Sequence, residues 1–169
     1  RSPTSTHACI TASHTMSEQV QNADDDVENA DDAFQTPTYW DAFYDDEEVY
    51  DWYSAAGAMY AACRRELRRL KGRGRVLDVG CGTASHLSAL AKFADVTGVD
   101  FSETVINANN ARKEGVTYLV DDASSLKSLA DNSFDIVTNV VSIDYLTQPL
   151  QICKEVARVL KPGGAAMFA

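Results

Sequence analysis

No stretch of about 18 apolar residues occurs in this sequence, which excludes a membrane-spanning helix. Histidine is scarce: the three residues His7, His14 and His86 form no pair at metal-ligand spacing, which argues against a histidine-based metal site. The four cysteines, Cys9, Cys63, Cys81 and Cys153, lie far apart with no Cys-x-x-Cys spacing. That excludes a disulfide framework and a zinc ribbon, and it fits a reducing, cytoplasmic setting. Residues 1–17 lack acidic groups and an apolar h-region, so they are not a secretory signal. Their Ser/Thr-rich character leaves organelle import open. Basic residues are almost absent from residues 1–63, which hold Arg1 against 13 acidic residues, a balance of −12. Residues 64–169 hold 14 basic and 12 acidic residues, a balance of +2. The acidity belongs to the N-terminal segment, and general nucleic-acid binding is disfavoured.

The 169 residues that remain to be placed, 45% hydrophobic and 24% charged, suit one globular domain. Residues 1–36 are expected to be a disordered tail, Ser/Thr-rich and then acidic. The run Asp24-Asp25-Asp26-Val27-Glu28 is superficially a calcium loop, but Asn29 and Gln35 stand where an EF-hand needs Gly and Glu. Residues 37–71 are expected to form an aromatic and helical cap. It carries Tyr39-Trp40-Asp41-Ala42-Phe43-Tyr44 and Tyr50-Asp51-Trp52-Tyr53, then a helix over 54–71 with Met59, Cys63, Leu67 and Leu70 on one face. Arg64, Arg65, Arg68, Arg69, Lys71, Arg73 and Arg75 read as a solvated basic face rather than a phosphate site. The chain opens on Arg1 and stops at Ala169 inside a strand. It is therefore expected to be incomplete, with Met16 an alternative start and further C-terminal strands missing.

From residue 72 onward, strands and helices alternate. Strands are expected at Arg75–Val79, Asp95–Val99, Val116–Val120, Phe134–Val140 and from Ala165 on. Helices are expected over about 84–93, over 103–113 after a Ser102 cap, and over 149–160 behind Pro149, with a helical turn near 123–130. In the last helix Leu150, Cys153, Ala157 and Leu160 are placed inward. Pro162-Gly163-Gly164 reads as a turn. This alternation defines an α/β fold with a parallel sheet.

The central motif is Val76-Leu77-Asp78-Val79-Gly80-Cys81-Gly82-Thr83-Ala84, a strand, a tight glycine turn and a helix start. Such a loop lets a ligand approach backbone N–H groups. Ser85 stands where a dinucleotide site needs a third glycine, and Asp78 would repel a diphosphate but attract a cationic ligand. A nicotinamide-dependent oxidoreductase is thereby disfavoured. Asp100, 22 residues after Asp78, suits a ribose diol, with Phe101 offering a face to a purine. Asp122 and Ala123 follow the third strand, and Asn139 ends the fourth. Each acid also has a plain structural reading: a turn or cap for Asp78 and Asp100, and a turn for Asp122, with Asp121 as its rival.

Together these residues resemble the class I S-adenosylmethionine-dependent methyltransferases, most closely the small type 11 methyltransferase domain. The resemblance rests on Val76–Ala84, Gly98–Ser102, Asp121-Asp122-Ala123, Asn132–Val137 and Ala157–Gly164. It implies a Rossmann-like α/β fold with a doubly wound, mainly parallel sheet of order 3-2-1-4-5, S-adenosyl-L-methionine as cofactor and S-adenosylhomocysteine as product. Asp78, Gly80 and Gly82 would hold the methionine part, with Cys81 and Thr83 of the same loop also at the cofactor, and Asp100 would bind the ribose. Phe101 would lie against the adenine, Asp122 and Ala123 would meet its edge, and Asn139 would lie near the sulfonium. The aromatic stretch at 39–53 is weakly similar to lysine methyltransferases acting on elongation factor. The acceptor therefore stays open between a small molecule and a protein lysine. Methyl transfer is a direct displacement that needs alignment more than acid–base help. Asp144 and Tyr145 are the weak candidates if a proton must be removed, and the loop-residue reading is the favoured one for each. A non-catalytic module with a relic cofactor fold is the remaining alternative.

Overall fold

A computed structural model describes residues 34–45, 53–71, 73–83, 86–140 and 148–169. Asp144 and Tyr145, the tail before residue 34 and positions 84–85 of the glycine loop lie outside the described residues.

Five strands form one sheet in the order β3-β2-β1-β4-β5. They are β1 (Gly74–Val79), β2 (Ala94–Asp100), β3 (Thr117–Val120), β4 (Phe134–Asn139) and β5 (Leu160–Phe168). All described pairings are parallel, with Asp78 level with Gly98 on one side and Thr138 on the other. The chain winds outward from β1 to β3 and then returns to lay β4 on the other flank of β1. This reversal makes a topological switch point, and ligands of open α/β sheets bind outside the carboxyl ends of the strands there.

Helices α1 (Pro37–Asp45), α2 (Tyr53–Leu67), α3 (Leu87–Ala91), α4 (Glu103–Ala111) and α5 (Pro149–Val159) complete the described elements. Successive strand residues face opposite sides, so β1 feeds two cores. Val76 joins Met59, Cys63, Leu87, Leu90, Val96, Ile106 and Ile136 on one face. Leu77 and Val79 join Val99, Leu126, Phe134, Val137, Ile152, Val156 and Val159 on the other. A strand buried on both faces needs an unbroken apolar run, and Val76-Leu77 and Ile136-Val137 supply it. Among the described residues no helix is long and apolar enough to cross a membrane.

Three local expectations change. The inward face of α5 is Ile152, Val156 and Val159, whereas Leu150, Cys153 and Ala157 are exposed and Leu160 begins β5. The β-branched stripe at i, i+4, i+7 wins because it meets the apolar face of Leu77 and Phe134. The segment 123–130 is a series of turns rather than a helical turn. Asp121 organises it by accepting the N–H groups of Asp122, Lys127 and Ser128 and the Ser128 hydroxyl. Arg158 of α5 clamps it by donating to the carbonyls of Leu126 and Leu129. Pro162-Gly163-Gly164 does not interrupt β5 but runs within it as an irregularity opposite Phe134–Ile136. Gly163 takes φ +80°, and a Cβ on Gly164 would stand 3.0 Å from the Asp135 carbonyl, so only glycine fits this course.

The basic run is in part a solvated face, with the Arg65 and Arg69 side chains 74% and 76% exposed, and in part engaged by the fold. Arg64 stacks on Phe93 at 3.4 Å, Arg73 pairs with Asp95 at 2.5 Å, and Arg75 lies 4.9 Å from the Phe134 ring centre.

Candidate cofactor site

The glycine loop leaves β1 with Gly80 at φ +65° and Gly82 at φ +50°, conformations that side-chain-bearing residues rarely adopt. The sheet and α4 hold it from below. The Cys81 N–H donates to the Val99 carbonyl at 2.9 Å. Asn109 Nδ2 donates to the Gly82 carbonyl at 2.7 Å, and Arg112 Nη2 to the Thr83 carbonyl at 2.6 Å. With its carbonyls tied downward, the loop is fixed before any ligand arrives.

Asp100 ends β2 beside this loop. Its Oδ2 accepts the Gly82 N–H at 2.9 Å and its Oδ1 accepts the Ser102 N–H at 3.0 Å. Each carboxylate oxygen keeps a further lone pair, so the group can still receive two hydroxyl donors. Burial raises its pKa, and the backbone donors of Ser102, Gly82 and Phe101 oppose that rise. Ser102 caps α4 by accepting the Val105 N–H at 3.3 Å.

Asp78 sits beneath the loop, 1% exposed. Thr138 Oγ1 donates to its Oδ1 at 2.5 Å, and His86 Nε2 faces its Oδ2 at 3.7 Å. Burial pushes its pKa up to about 6 against the opposing influence of His86 and Thr138, and the nearby Asp100 charge adds to the rise. Asn139 is fully buried, and its Nδ2 donates to the Val79 carbonyl at 2.9 Å, which ties the ends of β4 and β1 together.

Beyond β3 the two neighbouring acids part ways. Asp121 is committed to the turn described above, whereas Asp122 is exposed and its carboxylate accepts the Ser124 N–H at 2.7 Å. Ala123 packs on the second core cluster. Phe101 joins Tyr39, Trp40, Phe34, Phe43 and Tyr44 in an aromatic cluster built by α1. The structure thus gathers Asp78, Gly80, Cys81, Gly82, Thr83, Asp100, Phe101 and Asn139 at the carboxyl ends of β1, β2 and β4, with Asp122 and Ala123 after β3.

Spacing along the chain did not reveal the residues that hold these groups. Asp41 of α1 accepts the Ser102 hydroxyl at 2.5 Å and the Thr104 N–H at 3.0 Å, docking α1 onto the start of α4. Tyr44 places its hydroxyl over the loop, 2.9 Å from where a Cβ on Gly82 would be. Thr138, His86, Asn109 and Arg112 complete the set. The one available signal was Asn109, a polar residue within the apolar stripe of Val105 and Ile106 on α4.

An open parallel sheet with a glycine loop at its switch point and a carboxylate ending the second strand defines a nucleoside-cofactor-binding α/β domain. The residues fit a cationic cofactor better than a diphosphate, because two buried carboxyl groups, Asp78 and Asp100, lie beside the loop. A family model described as "Methyltransferase domain" matches residues 77–168. The chain belongs to this family, as a class I S-adenosylmethionine-dependent methyltransferase domain of type 11. It is similar to the ubiquinone biosynthesis O-methyltransferase of Coxiella burnetii, 39% identical over 105 residues, covering 59% of this chain and 44% of that one. It is 40% identical over 97 residues to the demethylmenaquinone methyltransferase of Staphylococcus aureus, covering 53% of this chain and 40% of that one. Among solved structures it resembles a phosphoethanolamine N-methyltransferase of Haemonchus contortus in complex with phosphoethanolamine and S-adenosylhomocysteine. That likeness has a TM-score of 0.57 and 26% identity, and covers 79% of this chain and 30% of that one. The chain spans less than half the length of these curated relatives.

Proposed function

We propose that the chain transfers a methyl group from S-adenosylmethionine to a hydroxyl oxygen of a small aromatic acceptor. The observation that carries the cofactor half of this reading is the Asp100 carboxylate, buried at the end of β2 and anchored by the Gly82 and Ser102 N–H groups with lone pairs to spare. In this reading Asp100 receives the ribose hydroxyls. Gly80, Cys81, Gly82 and Thr83 line the methionine part, and the Asp78 carboxyl lies beneath them. Phe101 stands against the adenine, Asp122 and Ala123 at its edge, and Asn139 near the reacting centre. The cofactor brings an activated methyl group. The chain's own work is to align the acceptor and exclude water. Asp144 or Tyr145 would take a proton if the acceptor must lose one.

The oxygen acceptor is supported by the name of the Coxiella relative. A protein lysine is the second reading, supported by the Tyr39–Tyr44 aromatic stretch.

Isothermal titration with S-adenosylhomocysteine tests the cofactor half. Saturable binding is expected, with NADH giving none, and Asp100→Asn should weaken it at least about tenfold, because hydrogen bonds to a charged acceptor are the stronger kind. Equal binding by the variant would remove Asp100 from the site. Product formation with phenolic small molecules against a lysine peptide then separates the two acceptor readings.

A further inference from the structure

We propose that the Tyr44 hydroxyl is a ribose-reading group of the cofactor site and that Asp41 is the residue that positions it. This rests on the cofactor reading above and extends it to a part of the chain that the family match at 77–168 does not reach.

Three observations converge on Tyr44. Its hydroxyl stands 2.9 Å from where a Cβ on Gly82 would lie, so glycine at 82 leaves room for this phenol. The Gly82 N–H is held by Asp100, which puts donor-bearing Tyr44 and acceptor Asp100 beside the same glycine. Burial raises the Tyr44 pKa well above the ordinary phenol value, and the charges of Asp100 and Cys81 raise it further. The phenol therefore keeps its proton and remains a donor. Among the described residues that proton has no hydrogen-bond acceptor.

A ribose hydroxyl is at once a donor and an acceptor. A carboxylate alone satisfies only its donor side. A carboxylate and a neutral phenol beside the same glycine satisfy both, and a ligand lacking the hydroxyl would leave the half-buried phenol without that partner. The amino-acid half of the cofactor is the less suitable partner, because its carboxylate would have to approach Asp100.

The position of Tyr44 depends on α1, and α1 is fixed by Asp41. One carboxylate oxygen receives both the Ser102 hydroxyl and the Thr104 N–H, so the helix that carries Tyr44 is pinned to the helix that follows Asp100. The acceptor and the donor of the pair thus share one mechanical base. Trp40, between Asp41 and the aromatic cluster, donates from Nε1 to the Phe34 carbonyl at 2.7 Å and stiffens the same turn. By linkage, a ligand that bonds Tyr44 must in turn steady α1.

The test uses three ligands on the whole chain: S-adenosylhomocysteine, 5′-methylthioadenosine, which keeps the ribose but lacks the amino-acid half, and the 2′-deoxy form of the latter. Tyr44→Phe keeps the ring in its aromatic cluster and removes only the hydroxyl. The expected result is an equal loss, about tenfold, for S-adenosylhomocysteine and 5′-methylthioadenosine, with less discrimination against the deoxy ligand. Asp41→Asn should weaken S-adenosylhomocysteine and speed amide hydrogen exchange over residues 37–45, and ligand should slow that exchange in the wild type. A loss confined to S-adenosylhomocysteine would assign the phenol to the amino-acid half and overturn the proposal. So would unchanged affinity in Tyr44→Phe. Failure of the wild type to bind any of the ligands would instead sink the cofactor reading on which the proposal stands.

Discussion

Asp78 is the residue whose environment makes the sharpest demand. Its carboxyl is buried under the glycine loop with one hydroxyl donor, Thr138 Oγ1, and one imidazole nitrogen, His86 Nε2, facing it. The Thr138 hydroxyl also lies 3.2 Å from the Leu77 carbonyl. One proton can therefore serve the carboxylate, or turn to the backbone when Asp78 is itself protonated. The folded chain raises the Asp78 pKa from 3.8 to about 6. The sign follows from linkage: between these values the folded state holds a proton that the unfolded state has lost, so stability falls as pH rises. The contribution is complete below 3.8, and it is lost as pH climbs through about 6. We expect the stability of the wild type minus that of Asp78→Asn to drop by on the order of 3 kcal/mol across this window. Denaturant melts of both proteins at several pH values measure it, and a flat difference would mean that Asp78 does not titrate as a buried acid. Sequence spacing identified Asp78 and Asp100, because each ends a strand beside a glycine or a cap. It was silent on Thr138 and His86, because the Asp78–Thr138 bond spans 60 residues and exists only once β4 lies beside β1.

At the scale of elements, α5 separates what patterning can and cannot decide. Its existence and limits were legible from Pro149 and the amphipathic run, but its inward face was not. Two apolar stripes compete on it, one of Leu150, Cys153 and Ala157 and the other of Ile152, Val156 and Val159. The buried one is chosen by what the sheet offers opposite it. Ile152→Ala should therefore cost about 2 to 5 kcal/mol through the cavity it leaves. Leu150→Ala, at a side chain that is 78% exposed, should stay within about 0.5 kcal/mol. Reversal of that order in urea melts would restore the other face. The strands were easier to read for a related reason. A parallel strand buried on both sides has no choice of face, so its apolar run is the signal. The strand order 3-2-1-4-5 was implied by the family resemblance, and the sheet has that order. The turn series at 123–130 escaped because its organiser, Asp121, gathers N–H groups up to seven residues away, and its clamp, Arg158, comes from α5.

For the whole molecule, the question is where the working unit begins. The family match starts at residue 77, yet α1 packs against the glycine loop and the end of β2 through Asp41, Tyr44 and the aromatic cluster on Phe101. Phe34 belongs to that cluster, and its carbonyl receives the Trp40 indole N–H. We therefore expect the division of the chain to be functional at about residue 34 rather than at 72. A protein lacking residues 1–33 should keep its affinity for S-adenosylhomocysteine and melt within about 3 °C of the full chain, a shift corresponding to less than about 1 kcal/mol. A protein lacking residues 1–46 removes Asp41, Tyr44 and the ring contacts on Phe101. It should retain the sheet, because both core clusters are built from Met59 onward. Its affinity should fall below that of Tyr44→Phe, since it loses the positioning carboxylate and the aromatic wall together with the phenol. Calorimetric titration and melting of the two truncated chains decide between the boundaries. If the shorter protein bound as tightly as the longer one, α1 would be packing alone and the cofactor site would end with the sheet.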